Sequence, residues 1–328
     1  MSDDLPVLGL GLPVSGRWAT PATMIHLARM AEDLGWASLW TFQRLLQPVD
    51  GALDPGWEAT HNPSARPIGD EAYAAVHDAV LPLALVAGHT SRIGLGTATL
   101  CAPFVPPVVL AKQMATLDHL SAGRVTVGLG LGWLPQEYAA AGVPFERRGA
   151  RMEDYLRCLV ALWTDDPVEH AGEFYAVPRS HVRPRPVQDP HPPLLVGGAA
   201  DAALRRAGRL AQGWIGSTAT DLDRLEHSVG LVRSGAEEAG RDPAGVRIVL
   251  RAVVELTDAD PGRSRRPFRG TVAQVLDDLA LVRAAGATEV FADLNLSAAT
   301  HDDAGRAVGR AEHLLDSLAP ARHGSAGD

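Results

Sequence analysis

The residues of this chain that could do chemistry fall in short groups, each at the end of an apolar run. Trp40-Thr-Phe-Gln43-Arg44 closes one run with an amide and a guanidinium. Arginine stays protonated, so Arg44 can hold or polarise an anionic or carbonyl group but cannot serve as a general base. A salt bridge within the site would use Arg44 equally well. Gly128-Leu-Gly130-Leu131-Gly132-Trp133 puts alternate glycines at a strand end. Bare backbone on one face there can seat a flat ring, or can serve tight packing between strands. The pattern is not the dinucleotide fingerprint, which opens a helix directly after the first strand. Val196-Gly197-Gly198-Ala199 leads from a strand into a helix. Unobstructed N–H groups at such a helix start favour a phosphate, and a plain strand-to-helix turn is the alternative. Thr97-Ala98-Thr99-Leu100 ends another strand with small residues and says little alone.

Other polar groups have plainer readings. Arg263, Arg265, Arg266 and Arg269 share one loop, which reads as solvated more readily than as a polyanion site. His26 and His119 fall on helical stretches and read as structural. Neither a Ser/His/Asp set nor a metal-ligand cluster nor a phosphate-transfer loop is recognisable. A chain without an evident nucleophile is better served by a bound organic cofactor.

The elements that must position these groups alternate regularly. The stretch Arg92 to Glu137 reads as strand, helix, strand, a parallel unit with a right-handed crossover. Apolar strands are expected at 7–13, 37–42, 92–100, 124–131, 193–196, 214–216, 246–256 and 288–294. Helices are expected at 21–34, 71–87, 105–120, 148–163, 200–212, 221–240, 272–285 and 304–318. Residues 165–193 read as irregular, with a hairpin near Glu173-Phe174-Tyr175. This alternation predicts an α/β fold, a (β/α)8 TIM barrel with long insertions, as one domain over 1–328 with a frayed tail at 320–328. The active site of such a barrel lies on the loops after the strands. The longest of these, 44–72, is expected to cover the site.

Composition narrows the function. A net charge of −9 argues against a nucleic-acid partner. The 46% hydrophobic content supports a large core. Two cysteines, Cys101 and Cys158, supply no disulfide framework and read as free thiols in a reducing cytoplasm. The acidic start lacks the basic region of a secretory signal, and the longest apolar run, 79–88, is too short to span a membrane. A cytoplasmic location is expected.

Taken together, SRIGLGTATL, LAKQMATLDHLSAGRVTVGLGLGWLPQEYAAAGVPFERRGARMEDYL, RPRPVQDPHPPLLVGGAADAALRRAGRLAQGWI and GTVAQVLDDLALVRAAGATEVFADL resemble the bacterial luciferase-like family of flavin- and deazaflavin-dependent oxidoreductases. The resemblance implies a non-proline cis peptide at Ala98-Thr99, before Leu100, behind the cofactor ring. It implies that Gly130, Leu131, Gly132, Trp133 and Gln136 line the ring and its side chain. Gly197, Gly198 and Ala199 would contact the phosphate, and Glu137-Tyr138 would be structural. The coenzyme F420 branch is the more similar, with FMN as the alternative cofactor and a flavin or F420 reductase as a possible partner protein. A homodimer is also implied.

One departure matters. Alcohol-oxidising deazaflavin members carry an acidic residue and a histidine after strand two, where this chain has Gln43-Arg44. Arg44 and Gln43 are therefore the candidate catalytic residues of a reductase rather than an alcohol dehydrogenase. A monooxygenase or a silent cofactor-binding protein are the alternatives. Trp18, Trp40, Trp57 and Trp133 are candidates for an aromatic wall, and no metal is called for.

Overall fold

The computed structural model describes residues 5–49, 71–218, 222–297 and 303–319. Eight strands form the frame: β1 (Val7–Gly11), β2 (Ser38–Thr41), β3 (Gly94–Thr97), β4 (Val125–Gly130), β5 (Leu194–Gly197), β6 (Gly213–Ser217), β7 (Arg247–Val253) and β8 (Glu289–Asp293). Each pairs in parallel with the next, and β8 pairs with β1 through Leu10 and Ala292, so the sheet closes on itself. Closure leaves no unpaired edge among these strands.

The helices of the described residues are α1 (Pro21–Asp33), α2 (Leu81–Ala87), α3 (Pro107–Leu120), α4 (Pro135–Ala140), α5 (Arg148–Thr164), α6 (Asp201–Leu210), α7 (Leu225–Glu238), α8 (Val272–Ala284) and α9 (Ala304–Ser317). Thr20 caps α1 ahead of Pro21, and Thr271 with Gln274 forms a capping box on α8. The continuous helix expected over 71–87 is broken into a 3-10 turn at Glu71–Tyr73 and then α2. Asp78 accepts from Val80 N and Leu81 N, and this restarts the helix just ahead of Pro82. The short helix α4, inside the connection after β4, is not apparent from periodicity. The Pro-rich stretch does carry a hairpin, Val168–Ala171 against Ala176–Ser180.

Alternation along the strands sorts the barrel interior into layers. Ser38, Thr126, Arg247 and Glu289 form a polar layer near the strand starts, with Arg247 donating to Glu289 at 2.9 Å and Thr126 at 3.2 Å. Trp40, Ala98, Leu195, Ile215, Val249 and Phe291 form one buried apolar cluster above it. Two residues further along β7 and β8 come Arg251 and Asp293, at the mouth. Opposite the mouth, Glu32 accepts from the backbone N–H groups of Ser91, Arg92 and Ile93. The Arg124 guanidinium donates to carbonyls of Ser121, Ile93, Ala87 and Thr90 on that same side. Those bonds fix the loops entering the strands and leave the mouth loops to carry chemistry.

Candidate active site

The wall made by β3, β4 and β5 is built around Thr99. The Ala98-Thr99 peptide is cis, as the resemblance implies. A Cβ on Gly130 would lie 2.4 Å from Thr99 Oγ1, and one on Gly197 would lie 3.2 Å from Thr99 Cγ2. Thr99, Gly130 and Gly197 therefore form one continuous surface. Gly128 has a different job: its Cβ would sit 1.9 Å from the Thr97 carbonyl oxygen, so that glycine serves strand packing. Leu100 and Cys101 extend the wall by pairing with Leu129 and Gly130.

The end of β2 turns toward α4. Gln43 accepts through Oε1 from Cys101 N at 2.8 Å, a strut between the ends of β2 and β3. Arg44 Nη1 donates to Glu137 Oε2 at 3.1 Å, and Leu45 N donates to Glu137 Oε1 at 2.6 Å. Glu137 is thus the buried counter-ion of Arg44, and the salt-bridge reading of Arg44 holds. The guanidinium lies 4.9 Å from the Tyr73 ring centre and 5.2 Å from that of Trp133. Beside Glu137, the buried Gln136 Oε1 has no hydrogen-bond partner among the described residues. The Tyr138 hydroxyl donates to the Leu131 carbonyl, which holds α4 against the end of β4. Gly132 has φ 65°, and a Cβ there would lie 2.9 Å from Cys101 Sγ.

After β5, Gly198 takes φ 144° and Ala199 leads to Ala200, the N-cap of α6, which makes no side-chain cap bond. The Trp214 indole donates to the Gly198 carbonyl at 2.8 Å and holds the turn. This leaves a helix start whose N–H groups suit an anion.

Strand β7 supplies a residue that sequence reasoning missed. Arg251 pairs with Asp293, and its guanidinium lies 4.9 Å from the Phe42 ring centre. Asn295 completes the rim: its Oδ1 accepts from Val14 N at 2.8 Å, and its Nδ2 donates to Leu12 O and Asp293 Oδ1, both at 2.9 Å. The signal was present in the strand itself. Arg247-Ile-Val-Leu-Arg251 sets two arginines four residues apart, on one face of an otherwise apolar strand.

The aromatic wall is smaller than expected. Trp18 and Trp40 are 1% exposed and belong to the core, because Trp40 packs on Phe291 at 5.3 Å inside the barrel. Trp133 remains at the mouth. Trp57 and most of the loop 44–72 lie outside the described residues. In the arginine loop, Arg265 makes a two-pronged pair with Asp278 and Arg269 faces Glu255, which leaves Arg263 and Arg266 exposed. His119 Nε2 donates to the Arg185 carbonyl at 2.7 Å, and His26 meets Glu312, as structural residues do. Burial pushes the Cys101 thiol far above its ordinary range and the Cys158 thiol up to about 11. No cluster of His, Cys, Asp and Glu among the described residues could hold a metal ion.

Comparison with known proteins fits this geometry. The chain is 37% identical over 236 residues to an uncharacterised protein of Mycobacterium tuberculosis, covering 71% of this chain and 79% of that one. It is 29% identical over 265 residues to an F420-dependent glucose-6-phosphate dehydrogenase of Kineococcus radiotolerans, covering 78% and 70%. An FMNH2-dependent dimethylsulfone monooxygenase of Pseudomonas putida is 29% identical over 187 residues, covering 56% and 50%. The crystal structure of a monooxygenase from Streptomyces bottropensis superposes with a TM-score of 0.75 at 20% identity, over 96% of this chain and 99% of that one. Residues 9–323 match the description of luciferase-like monooxygenases, and with the closed parallel barrel and its glycine-lined mouth this places the chain in the luciferase-like monooxygenase family.

Proposed function

We propose that this protein is a coenzyme F420-dependent oxidoreductase that acts as a reductase on a small organic substrate. The observation that carries the direction is the end of β2, where a buried Arg44–Glu137 pair stands in place of a base. A guanidinium cannot take an alcohol proton, but it can polarise an acceptor oxygen. The longer overlap with the F420-dependent relative supports the choice of cofactor.

The residues present fit a flat ring carrying a phosphate. The Thr99 side chain lies over Gly130 and Gly197, so a low wall of Thr99 on two glycines faces the ring, and among the described residues Gln136 Oε1 lacks a partner that a bound group would supply. Gly197, Gly198 and Ala199 would hold the phosphate at the start of α6, and Leu100, Leu131, Gly132 and Trp133 would line the rest. When bound, the reduced deazaflavin supplies a hydride. The chain's part is to bind the acceptor beside it, exclude water and meet developing negative charge with Arg44. Gln43 positions this group by tying the end of β2 to Cys101.

FMN is the second reading, favoured by the FMNH2-dependent relative; it would bring oxygen chemistry and a separate reductase. Equilibrium binding of F420 and FMN, side by side, decides between them. Micromolar binding of F420 with none of FMN is the expected outcome, and preference for FMN would overturn it. We also propose a homodimer, and a monomer mass by light scattering would remove that.

A further inference from the structure

Among the described residues, Arg44 and Arg251 stand at the mouth, and each already has its own counter-ion. Arg44 and Glu137 are 8% and 5% exposed at their side chains, and Arg251 and Asp293 are 17% and 2% exposed. Phe42, Tyr73, Leu134, Val253 and Leu296 belong to one apolar cluster with Trp133 packed against it. The guanidiniums are spread over the rings of Phe42, Tyr73 and Trp133.

An anionic substrate fares badly beside these pairs. It must shed its hydration, yet each guanidinium offers it only a hydrogen-bond donor, because a buried carboxylate already balances the net charge. It would also face those carboxylates as like charges. An uncharged molecule sheds less hydration and can lay an apolar face on the rings. If it carries an acceptor oxygen, donors are unmet: among the described residues the buried Arg44 Nε and Arg251 Nη2 have no hydrogen-bond partner.

We propose that the substrate is an uncharged molecule with an acceptor oxygen beside an apolar or aromatic face, and that Glu137 and Asp293 determine this by excluding anions. This inference rests on the oxidoreductase reading above for the identity of the mouth as the reaction site. Neither carboxylate needs to touch the reacting atoms; each acts by neutralising its arginine.

The test compares benzamide with benzoate, two probes of like shape that differ in charge. Binding is measured by calorimetry on protein saturated with whichever of F420 or FMN binds, and again on the chain alone. Benzamide is expected to bind wild type at least about tenfold tighter than benzoate. Glu137→Gln keeps an acceptor for Leu45 N and unmasks the Arg44 charge, so the ratio should move roughly tenfold toward benzoate. Asp293→Asn is the second variant, expected to move the ratio the same way; circular dichroism reports whether each folds. Equal or tighter benzoate binding to wild type, an unchanged ratio in the folded variants, or no binding of either probe at millimolar concentration each overturn the proposal. Cofactor titration by absorbance is read separately. Selectivity without cofactor binding would remove the redox reading alone, and cofactor binding without selectivity would remove this inference alone.

Discussion

Arg44 is defined by what it touches. Its pair with Glu137 is almost fully buried, so removing one partner leaves the other charge without compensation. Arg44→Ala is expected to cost about 3–5 kcal/mol of stability, read as a shift in a urea unfolding midpoint. Adding Glu137→Gln should return much of that loss, because the uncompensated charge is gone. Activity should stay lost in both variants while deazaflavin binding survives; unchanged turnover in Arg44→Ala would sink its catalytic role. Gly130 makes the complementary case for the ring seat. With a methyl placed 2.4 Å from Thr99 Oγ1, Gly130→Ala must turn Thr99 or shift it. Cofactor affinity is expected to fall by roughly tenfold or more, and a dissociation constant equal to wild type would argue that nothing packs on that surface.

At the scale of elements, the hairpin after α5 is fastened to that helix by the Asp154 carboxylate. Asp154 on α5 accepts from Phe174 N at 2.6 Å, Tyr175 N at 3.0 Å and His170 Nε2 at 2.8 Å. Burial alone would raise its pKa, but these bonds outweigh it and hold the carboxyl below the usual range. A lowered folded pKa means stability that is complete above the unfolded value of about 3.9 and disappears as pH falls through the folded one. Wild type should therefore be more stable than Asp154→Asn at neutral pH. The gap should close below about pH 4, and urea midpoints across that range check it. A constant gap would mean that the carboxylate's charge is not what fastens the hairpin.

At the scale of the whole molecule, the closed barrel separates a stabilising end from a working end. Glu32 and Arg124 fasten the loops that enter the strands, whereas the Asn295 network fastens the rim around the mouth. Both cysteines are buried in this body, Cys101 in the mouth wall and Cys158 within α5. Burial raises both thiols, so the reactive thiolate is scarce near neutral pH. A thiol reagent such as DTNB should leave the native protein almost unmodified and titrate two groups once it unfolds. Rapid reaction of one thiol in the native state would contradict this account of the mouth wall.

The sequence by itself determined the barrel, because each apolar strand and its following helix carry their own periodicity, caps and stops. It also determined the glycines of the wall: Gly130 and Gly197 are visible at strand ends, and their places at the ends of strands four and five follow from counting. Helix ends next to proline were less legible. The break between Glu71 and Leu81 depends on Asp78 capping a new helix, a choice that periodicity does not register. What only the tertiary structure decided is the state of the charges. Arg44 and Glu137 are 93 residues apart, and Arg251 and Asp293 are 42 apart. A charged side chain reads the same in a sequence whether it is paired or free. Its partner is set by which loops the closed barrel brings to one mouth, and there Arg44 meets Glu137 and Arg251 meets Asp293.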